Sequence, residues 1–284
     1  MVNETVSIKV ARQEATESPA VTSEYQVPYT QYTTVLDALD WLKATLAPTL
    51  AYRASCHSGI CGSCGVMVNG RPVLACETFV AGYRKSGLTI EPLARISVLR
   101  DLIVDTDSFL NQLRSALAWQ LPTTPVVATS DPESGLGTTE NPTKPDVTLG
   151  SNCEVPGAAA PNVIRNQTPE QLAAYQQLTY CINCLLCYSA CPQYSGSPRQ
   201  SQSDFEGAEY ESPDQFIGPA AIALAVRWSK DSRDKGAEQR FAALAEQENG
   251  IWPCTQDGNC TLVCPKGLDP KAIIGELQRQ ALSG

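Results

Sequence analysis

Apolar residues near the start of the chain follow the spacing of strands first and of a helix afterwards. Apolar and polar residues alternate over Thr5–Ala11, which predicts a half-buried strand, and we expect a second strand near Glu24–Tyr29. Helical spacing then predicts a helix with Thr33 or Thr34 as its N-cap and Pro48 beyond its end. Its apolar positions are Val35, Leu36, Leu39, Leu42 and Leu46.

A hairpin and one more strand complete this pattern. Apolar residues flank Asn69-Gly70 within 66–75, which predicts a hairpin closed by a tight turn, and Leu88–Ile90 predicts a further strand. A loop over 51–64, rich in glycine and cysteine, separates the helix from the hairpin. Two strands, a helix, a loop and a hairpin in this order are typical of a β-grasp domain of the plant-type ferredoxin kind, which we expect to span residues 1–105.

In residues 106–284, the apolar residues follow helical spacing, which irregular stretches interrupt. Proline, glycine, threonine and serine dominate the stretch at about 121–161, which includes Cys153, and a second irregular stretch covers 195–213. Thr168 is the expected N-cap of a helix with Pro169 at its first position. The other expected helices cover 107–119, 217–230, 237–247 and 269–281. We therefore predict an α+β protein whose second domain is all-α and carries an irregular insertion.

Length and charge narrow the classes of function. The chain has 284 residues, of which 43% are apolar, and this length favours two domains. Its formal net charge of −9 argues against nucleic acid as a partner, since phosphate binding needs clustered Lys and Arg. The apolar run Phe216–Trp228 is too short to span a bilayer, and the N-terminus lacks the basic and apolar regions of a signal peptide.

The 12 cysteines fall mainly into three groups, of which the central group is the most informative. It lies in TYCINCLLCYSACP, whose spacing C-x2-C-x2-C-x3-C-P is the bacterial ferredoxin run. There the first three thiolates bind one iron–sulfur cluster, and the fourth, turned away by the following proline, binds another. We expect Cys181, Cys184 and Cys187 to share a cluster and Cys191 to join a different one, in a bacterial-ferredoxin-like domain.

The other two groups supply further ligands. Near the C-terminus, Cys254, Cys260 and Cys264 have the spacing C-x5-C-x3-C-P. Four cysteines of the first domain have the plant-type [2Fe–2S] spacing; they are Cys56, Cys61, Cys64 and Cys76. A [2Fe–2S] and a [4Fe–4S] cluster take four cysteines each, and the remaining three match the ligand count of a [3Fe–4S] cluster. Cys153 is left over and is expected to be a free thiol.

Disulfides and zinc are the alternative uses of so many cysteines. Disulfides suit small secreted domains, whereas these cysteines are grouped too tightly for most of them to pair. Zinc sites take ligands in fours, and zinc does not need the glycines Gly59, Gly62 and Gly65 that bring backbone N–H groups toward sulfide. Cluster thiolates favour a reducing compartment.

With these motifs in this order, the chain resembles the iron–sulfur subunit of succinate dehydrogenase and fumarate reductase over nearly its whole length. The matching stretches include PTLAYRASCHSGICGSCGVMVNGRPVLAC and WPCTQDGNCTLVCPKGLDP, while CINCLLCYSACPQY and FIGPAAIALAVRWSKDSRD are more similar to fumarate reductase. Succinate dehydrogenases tend to carry Trp shortly after the first Cys-Pro, and often His after the first cysteine of the third group. Ser195, Gly196 and Thr255 stand at these places, which also favours fumarate reductase.

The resemblance implies a ligand assignment and a set of partners. It assigns [2Fe–2S] to Cys56, Cys61, Cys64 and Cys76, [4Fe–4S] to Cys181, Cys184, Cys187 and Cys264, and [3Fe–4S] to Cys191, Cys254 and Cys260. It implies electron transfer between the FAD of a flavoprotein subunit and a quinone at a membrane-anchor subunit, on the cytoplasmic face of the inner membrane, with no catalytic residue on this chain. The alternative is an electron-transfer subunit of a soluble thiol:fumarate or heterodisulfide reductase-type complex.

Asp257 stands midway between Cys254 and Cys260, where a [4Fe–4S] run would carry its middle cysteine. Members of the family usually have an apolar residue at this position, which leaves a three-iron cluster. A carboxylate can bind iron, although less well than thiolate does at a soft site. Asp257 therefore either faces solvent or the backbone of its Asp-Gly turn, or it binds a fourth iron.

Overall fold

The computed structural model describes residues 4–14, 18–121, 167–195 and 216–283. Outside these ranges lie Cys153 and the irregular stretches predicted at 121–161 and 195–213, apart from the first residue of each. Within the described ranges, the chain forms an N-terminal sheet region followed by a helical region with ferredoxin-type cysteine runs.

Five strands form the N-terminal sheet, in the spatial order β2-β1-β5-β3-β4. They are β1 (Glu4–Arg12), β2 (Val21–Tyr29), β3 (Gly65–Val68), β4 (Arg71–Leu74) and β5 (Leu88–Glu91). β1 pairs antiparallel with β2 and parallel with β5, and β3 is antiparallel to both β4 and β5. The alternation along β1 buries Val6, Ile8 and Val10, as the pattern predicts.

Helix α1 (Val35–Thr45) shares its buried core with this sheet. Thr34 is its N-cap, because Thr34 Oγ1 accepts a hydrogen bond from the Asp37 N–H at 3.1 Å and Asp37 Oδ2 accepts one from the Thr34 N–H at 2.9 Å. This capping box satisfies two backbone donors and selects Thr34 over Thr33. Leu46, expected on the apolar face, is exposed because the helix ends one residue earlier.

The predicted hairpin joins β3 and β4 through Asn69 and Gly70. Both residues have positive φ, 48° and 77°, as a type I′ turn requires. A two-stranded ribbon of β6 (Val98–Arg100) and β7 (Ile103–Val104) follows the sheet. The sequence pattern does not predict this ribbon, because strands so short contain too few residues to show alternation.

Helix α2 (Asp107–Ser115) ends before the predicted boundary at 119. Leu117, which lies inside the predicted helix, has left it with a φ of 49°. Arg240 stabilises this early end of the helix. Its Nε donates to the Leu117 carbonyl at 2.7 Å, and its Nη2 donates to the Trp119 carbonyl. Local periodicity cannot reveal a partner so far away in the sequence.

The helices of the helical region are α3 (Pro169–Ala173), α4 (Leu186–Ala190), α5 (Pro219–Ser229), α6 (Ala237–Ala245), α7 (Asn259–Leu262) and α8 (Pro270–Ser283). The region is built around α5, in which Ala220, Ala221, Ile222 and Ala225 are buried and which packs against α6 and α8. The longer helices agree with the predictions, whereas α4 and α7 lie inside the cysteine runs and are too short for a helical period.

The two regions are packed together. Ser189 Oγ on α4 donates to the sulfur of Met67 on β3 at 3.2 Å, and the Phe109 ring on α2 meets the Tyr188 ring edge-on at 5.4 Å. In the part of the chain that the structure describes, no helix is both long and apolar enough to span a membrane.

Candidate iron–sulfur sites

The first site comprises Cys56, Cys61, Cys64 and Cys76, and backbone N–H groups of the loop before β3 donate to two of these sulfurs. Gly59 N donates to Cys76 Sγ at 3.2 Å. Three more N–H groups donate to Cys56 Sγ at 3.3–3.4 Å, those of Ser58, Ile60 and Cys61. A loop that points several N–H groups at sulfur stabilises negative charge there, which suits a thiolate-bound cluster.

The thiols of the first site differ in exposure and in pKa. The Sγ atoms of Cys64 and Cys76 are buried 3.3 Å apart, and burial raises the pKa of Cys64 to about 12. Cys61 is exposed, and hydrogen bonding with Ser63, whose Oγ lies 3.1 Å from Cys61 Sγ, lowers the pKa of Cys61 to about 6. Iron binding would displace the proton from the buried Cys64 thiol.

The second site is a cavity lined by four thiols, those of Cys181, Cys184, Cys187 and Cys264. It holds about 420 Å³ of empty space, partly open to solvent, and its other walls include Ala220, Ala223 and Leu268. Burial raises the pKa of Cys187 well above its usual value and that of Cys184 to about 11. Four thiols around one largely apolar space fit the shape and donor set of a [4Fe–4S] cluster.

The third site is a cavity lined by Cys191, Cys254 and Cys260, with Asp257 at its rim. It holds about 300 Å³ of empty space, partly open to solvent, and burial raises the pKa of Cys260 to about 11. Asp257 is exposed, and its Oδ2 accepts a hydrogen bond from the Thr255 hydroxyl. Three thiols and one carboxylate thus surround the space.

The last cysteine of each run lies at the other run's cavity. Cys264 lines the cavity with Cys181, Cys184 and Cys187, whereas Cys191 lines the cavity with Cys254 and Cys260. Each of these last cysteines precedes a proline, Pro192 or Pro265, which cannot continue a helix and turns the chain.

The three sites are neighbours in space. Gly62, in the loop of the first site, has a φ of 72°, and a Cβ there would lie 2.5 Å from the Ile182 carbonyl oxygen and 3.1 Å from Cys184 Cβ. Only glycine permits this approach, so the first loop touches the loop of the second site. The second and third sites are also adjacent. Cys187 of the second site lies on α4, Cys260 of the third site lies on α7, and these two helices pack against each other.

All eleven cysteines that the structure describes are free. Within the described ranges, no group of three or more His, Cys, Asp or Glu side chains is arranged to hold a single metal ion. Instead, the thiols of the second and third sites line cavities.

Two contacts at the sites are absent from the sequence predictions. The Ser63 hydroxyl is one, and a serine between two ligands of a CxxC pair is a signal that could have revealed it. The other is the Leu268 N–H, which donates to Cys264 Sγ at 3.3 Å and belongs to the backbone, so no residue type marks it.

Two family models match the chain in the order of its sites. The model of a 2Fe-2S iron-sulfur cluster binding domain matches residues 7–111, and that of a 4Fe-4S dicluster domain matches residues 177–268. The first match contains every residue of the first site, and the second contains every residue of the other two sites.

Relatives and a solved structure resemble the chain over most of its length. The fumarate reductase iron-sulfur subunit of Escherichia coli O6:H1 is 41% identical over 250 residues, 88% of this chain and 82% of that protein. The mitochondrial succinate dehydrogenase (ubiquinone) iron-sulfur subunit 2 of Oryza sativa is 34% identical over 86% of this chain and 63% of that protein. A chain of the Mycobacterium smegmatis Sdh1 complex in the apo form has the same fold, with a TM-score of 0.70 and 24% identity over 99% of this chain and 97% of that one.

Proposed function

Because the chain belongs to the family of iron–sulfur subunits of fumarate reductases and succinate dehydrogenases, we propose how its own residues serve electron transfer. It is the electron-transfer subunit of an oxidoreductase complex of this family, and it carries [2Fe–2S] and [4Fe–4S] clusters. This agrees with the main prediction and not with the soluble thiol:fumarate or heterodisulfide reductase alternative.

The proposed ligand sets follow the three sites. Cys56, Cys61, Cys64 and Cys76 hold [2Fe–2S], Cys181, Cys184, Cys187 and Cys264 hold [4Fe–4S], and Cys191, Cys254 and Cys260 hold a third cluster with a three-iron core, [3Fe–4S]. The two thiol-lined cavities and the N–H groups directed at sulfur support this assignment.

The proposed domain organisation is a β-grasp plant-type ferredoxin domain over 1–105 and an all-α bacterial-ferredoxin-like domain over 106–284, with an insertion at about 121–161. The mixed five-stranded sheet with α1 in its core supports the first part. The absence of strands from the described residues after Val104 supports the second.

Adjacency of the sites is the observation that carries the proposed mechanism. When bound, the clusters supply one-electron chemistry between two-electron partners. Gly62 lets the loops of the first and second sites touch, and α4 and α7 join the second site to the third. The buried thiols of Cys64 and Cys260 and the half-buried thiol of Cys187 would hold their clusters away from water, and N–H donors would stabilise charge on sulfur.

Each end of this row of sites would meet a different partner subunit. At the first site, Ile60 is 65% exposed beside Cys61, a surface suited to a flavoprotein subunit that carries FAD. At the third site, Trp252 and Leu262 are exposed, Leu262 by 79%, which suits a membrane-anchor subunit with a quinone. The complex would then lie on the cytoplasmic face of the inner membrane, with this chain as a peripheral subunit.

The physiological enzyme would be a fumarate reductase. Ser195 and Thr255 replace the Trp and His that are common in succinate dehydrogenases, and identity to the Escherichia coli fumarate reductase subunit, at 41%, exceeds identity to the rice succinate dehydrogenase subunit, at 34%. The Thr255 hydroxyl accepts a hydrogen bond from Gln193 at 3.2 Å, beside the third site.

A comparison of two electron donors tests the proposal. The purified complex should reduce fumarate with a quinol, and Cys187→Ala should abolish this reaction. A reduced viologen dye that feeds the flavin directly should still support fumarate reduction in the variant. Quinol-dependent activity that survives in Cys187→Ala would refute the proposed path through the second site.

A further inference from the structure

The two cysteine runs of the helical region repeat one another, and Asp257 takes the place of a ligand in the second. The first run has the spacing C-x2-C-x2-C-x3-C-P from Cys181 to Pro192. The second has C-x2-D-x2-C-x3-C-P from Cys254 to Pro265. Asp257 therefore corresponds to Cys184, the middle ligand of the second site.

The backbone conformation repeats with the sequence. The residues on either side of Cys184 have φ values of 54° and 63°, and those on either side of Asp257 have φ values of 64° and 83°. These residues are Asn183 and Leu185 in the first run, and Gln256 and Gly258 in the second. A left-handed backbone is unfavourable for a non-glycine residue, so the packing around both loops enforces the same uncommon shape.

The helices that follow repeat as well. In each run a short helix begins two residues after the middle position, α4 at Leu186 and α7 at Asn259. The second residue of each helix is the next proposed ligand, Cys187 or Cys260. The backbone therefore places Asp257 relative to the third site as it places Cys184 relative to the second.

The Asp257 side chain has access to the cavity of the third site. It lines that cavity together with Cys191, Cys254 and Cys260. The Thr255 hydroxyl donates to Oδ2, which leaves Oδ1 to accept a further partner. Asp257 is also exposed, so an ion can reach it from solvent.

We propose that Asp257 ligates a fourth, exchangeable iron at the third site. The proposal rests on the ligand assignment above. A carboxylate oxygen binds ferrous iron but is a harder donor than thiolate, so this iron leaves more readily than the irons held by cysteine. The third site then switches between a three-iron and a four-iron cluster with the iron supply and the redox state.

Conversion of the three-iron cluster to the four-iron cluster takes up one electron and one Fe²⁺ ion. A reductant adds one electron to the oxidised three-iron cluster, and one Fe²⁺ then bonds to three of its sulfides and to the Asp257 carboxylate. In the reverse direction, a one-electron oxidant removes an electron and Fe²⁺ returns to solvent.

The test uses the native complex under anaerobic conditions, with dithionite as reductant and ferrous iron enriched in the Mössbauer isotope. Excess reagents are removed, and the sample is then mildly reoxidised. The wild type should retain the enriched iron and lose the three-iron EPR signal, and ferricyanide should restore that signal. Asp257→Val should keep the full signal and retain no enriched iron, whereas Asp257→Cys should hold the iron even after ferricyanide. Glu276→Gln, which removes a carboxylate from the nearby α8, should behave like the wild type.

A wild-type signal that persists at full strength after iron and dithionite would overturn the proposal, as would equal iron uptake by Asp257→Val. In both cases the three-iron signal itself would leave the ligand assignment standing. Absence of a three-iron signal from oxidised Asp257→Val would overturn the ligand assignment of the third site, and this inference with it.

Discussion

At the residue scale, the Ser63 hydroxyl is placed to tune the first cluster. Its Oγ lies 3.1 Å from Cys61 Sγ, and Cys61, as the proposed iron-bound thiolate, could only accept, so the hydroxyl would donate. A hydrogen bond to a ligand sulfur stabilises the more negative, reduced state and raises the reduction potential.

Ser63→Ala should therefore lower the midpoint potential of the [2Fe–2S] cluster. A difference of about 1 kcal/mol between oxidation states, typical of one hydrogen bond, corresponds to about 40 mV for one electron. Ser58→Ala is the matched control, because the Ser58 hydroxyl donates to the Cys56 carbonyl and not to sulfur. An EPR-monitored redox titration measures these potentials. Ser63→Thr, which keeps the hydroxyl, should restore the wild-type value. Equal potentials in the wild type and Ser63→Ala would contradict the expectation.

Gly62 is the second residue with a specific role, because it allows the loops of the first and second sites to approach each other closely. Gly62→Ala should cost about 1–2 kcal/mol for the left-handed backbone and more for the contact with the Ile182 carbonyl. Gly70→Ala is the matched control, since Gly70 has a φ of 77° with open space around its Cβ position. Only Gly62→Ala should weaken the magnetic coupling between the first and second clusters in EPR; an unchanged coupling would show that the loops do not set this spacing.

At the scale of elements, one buried ion pair joins the end of α2 to α6. Arg240 is fully buried, and its Nη1 donates to Asp234 Oδ1 at 2.6 Å while Nε holds the Leu117 carbonyl. Asp234 Oδ2 also accepts from the Leu121 N–H at 2.7 Å. The pair therefore fixes the chain between the sheet region and the helical region.

Arg240→Met should destabilise the protein strongly, because it leaves Asp234 buried without its partner, a loss of about 3–5 kcal/mol. The double variant Arg240→Met/Asp234→Asn should recover part of this loss, since it removes the orphaned charge. Arg279→Met is the control, because Arg279 lies on α8 and donates to the carbonyl of Gly275 one turn earlier. Thermal unfolding midpoints measure the loss of stability. Similar midpoints for Arg240→Met and Arg279→Met would contradict the role given to the ion pair of Arg240 and Asp234.

The elements that the sequence predicts are those whose signals are local. Thr34 and Asp37 form a capping box within one turn, and Asn69-Gly70 carries its own turn preference, so α1 and the hairpin follow from the pattern. The early end of α2 does not, because Arg240 determines it from a distant part of the chain. α4 and α7 are missed because four or five residues are too few to show a helical period.

At the scale of the whole molecule, the proposed division of cysteines into sites follows from spacing and from the proline after the last cysteine of each run. The contacts between sites do not, because Gly62 and Cys184 belong to different regions and no sequence signal joins them. The role proposed for Asp257 can be predicted in part. The spacing of the run shows that a cysteine is missing at this position. The structure adds that the residues on both sides of Asp257 are left-handed, so the loop keeps the shape of a ligand loop.

The central claim is that three separate thiol sites hold three clusters, and EPR of the native complex carrying one cysteine substitution at a time tests it most directly. Cys61→Ala should abolish the [2Fe–2S] signal of the reduced complex and leave the three-iron signal of the oxidised complex, and Cys260→Ala should do the reverse. Loss of both signals from either single variant, or of neither, would contradict the account.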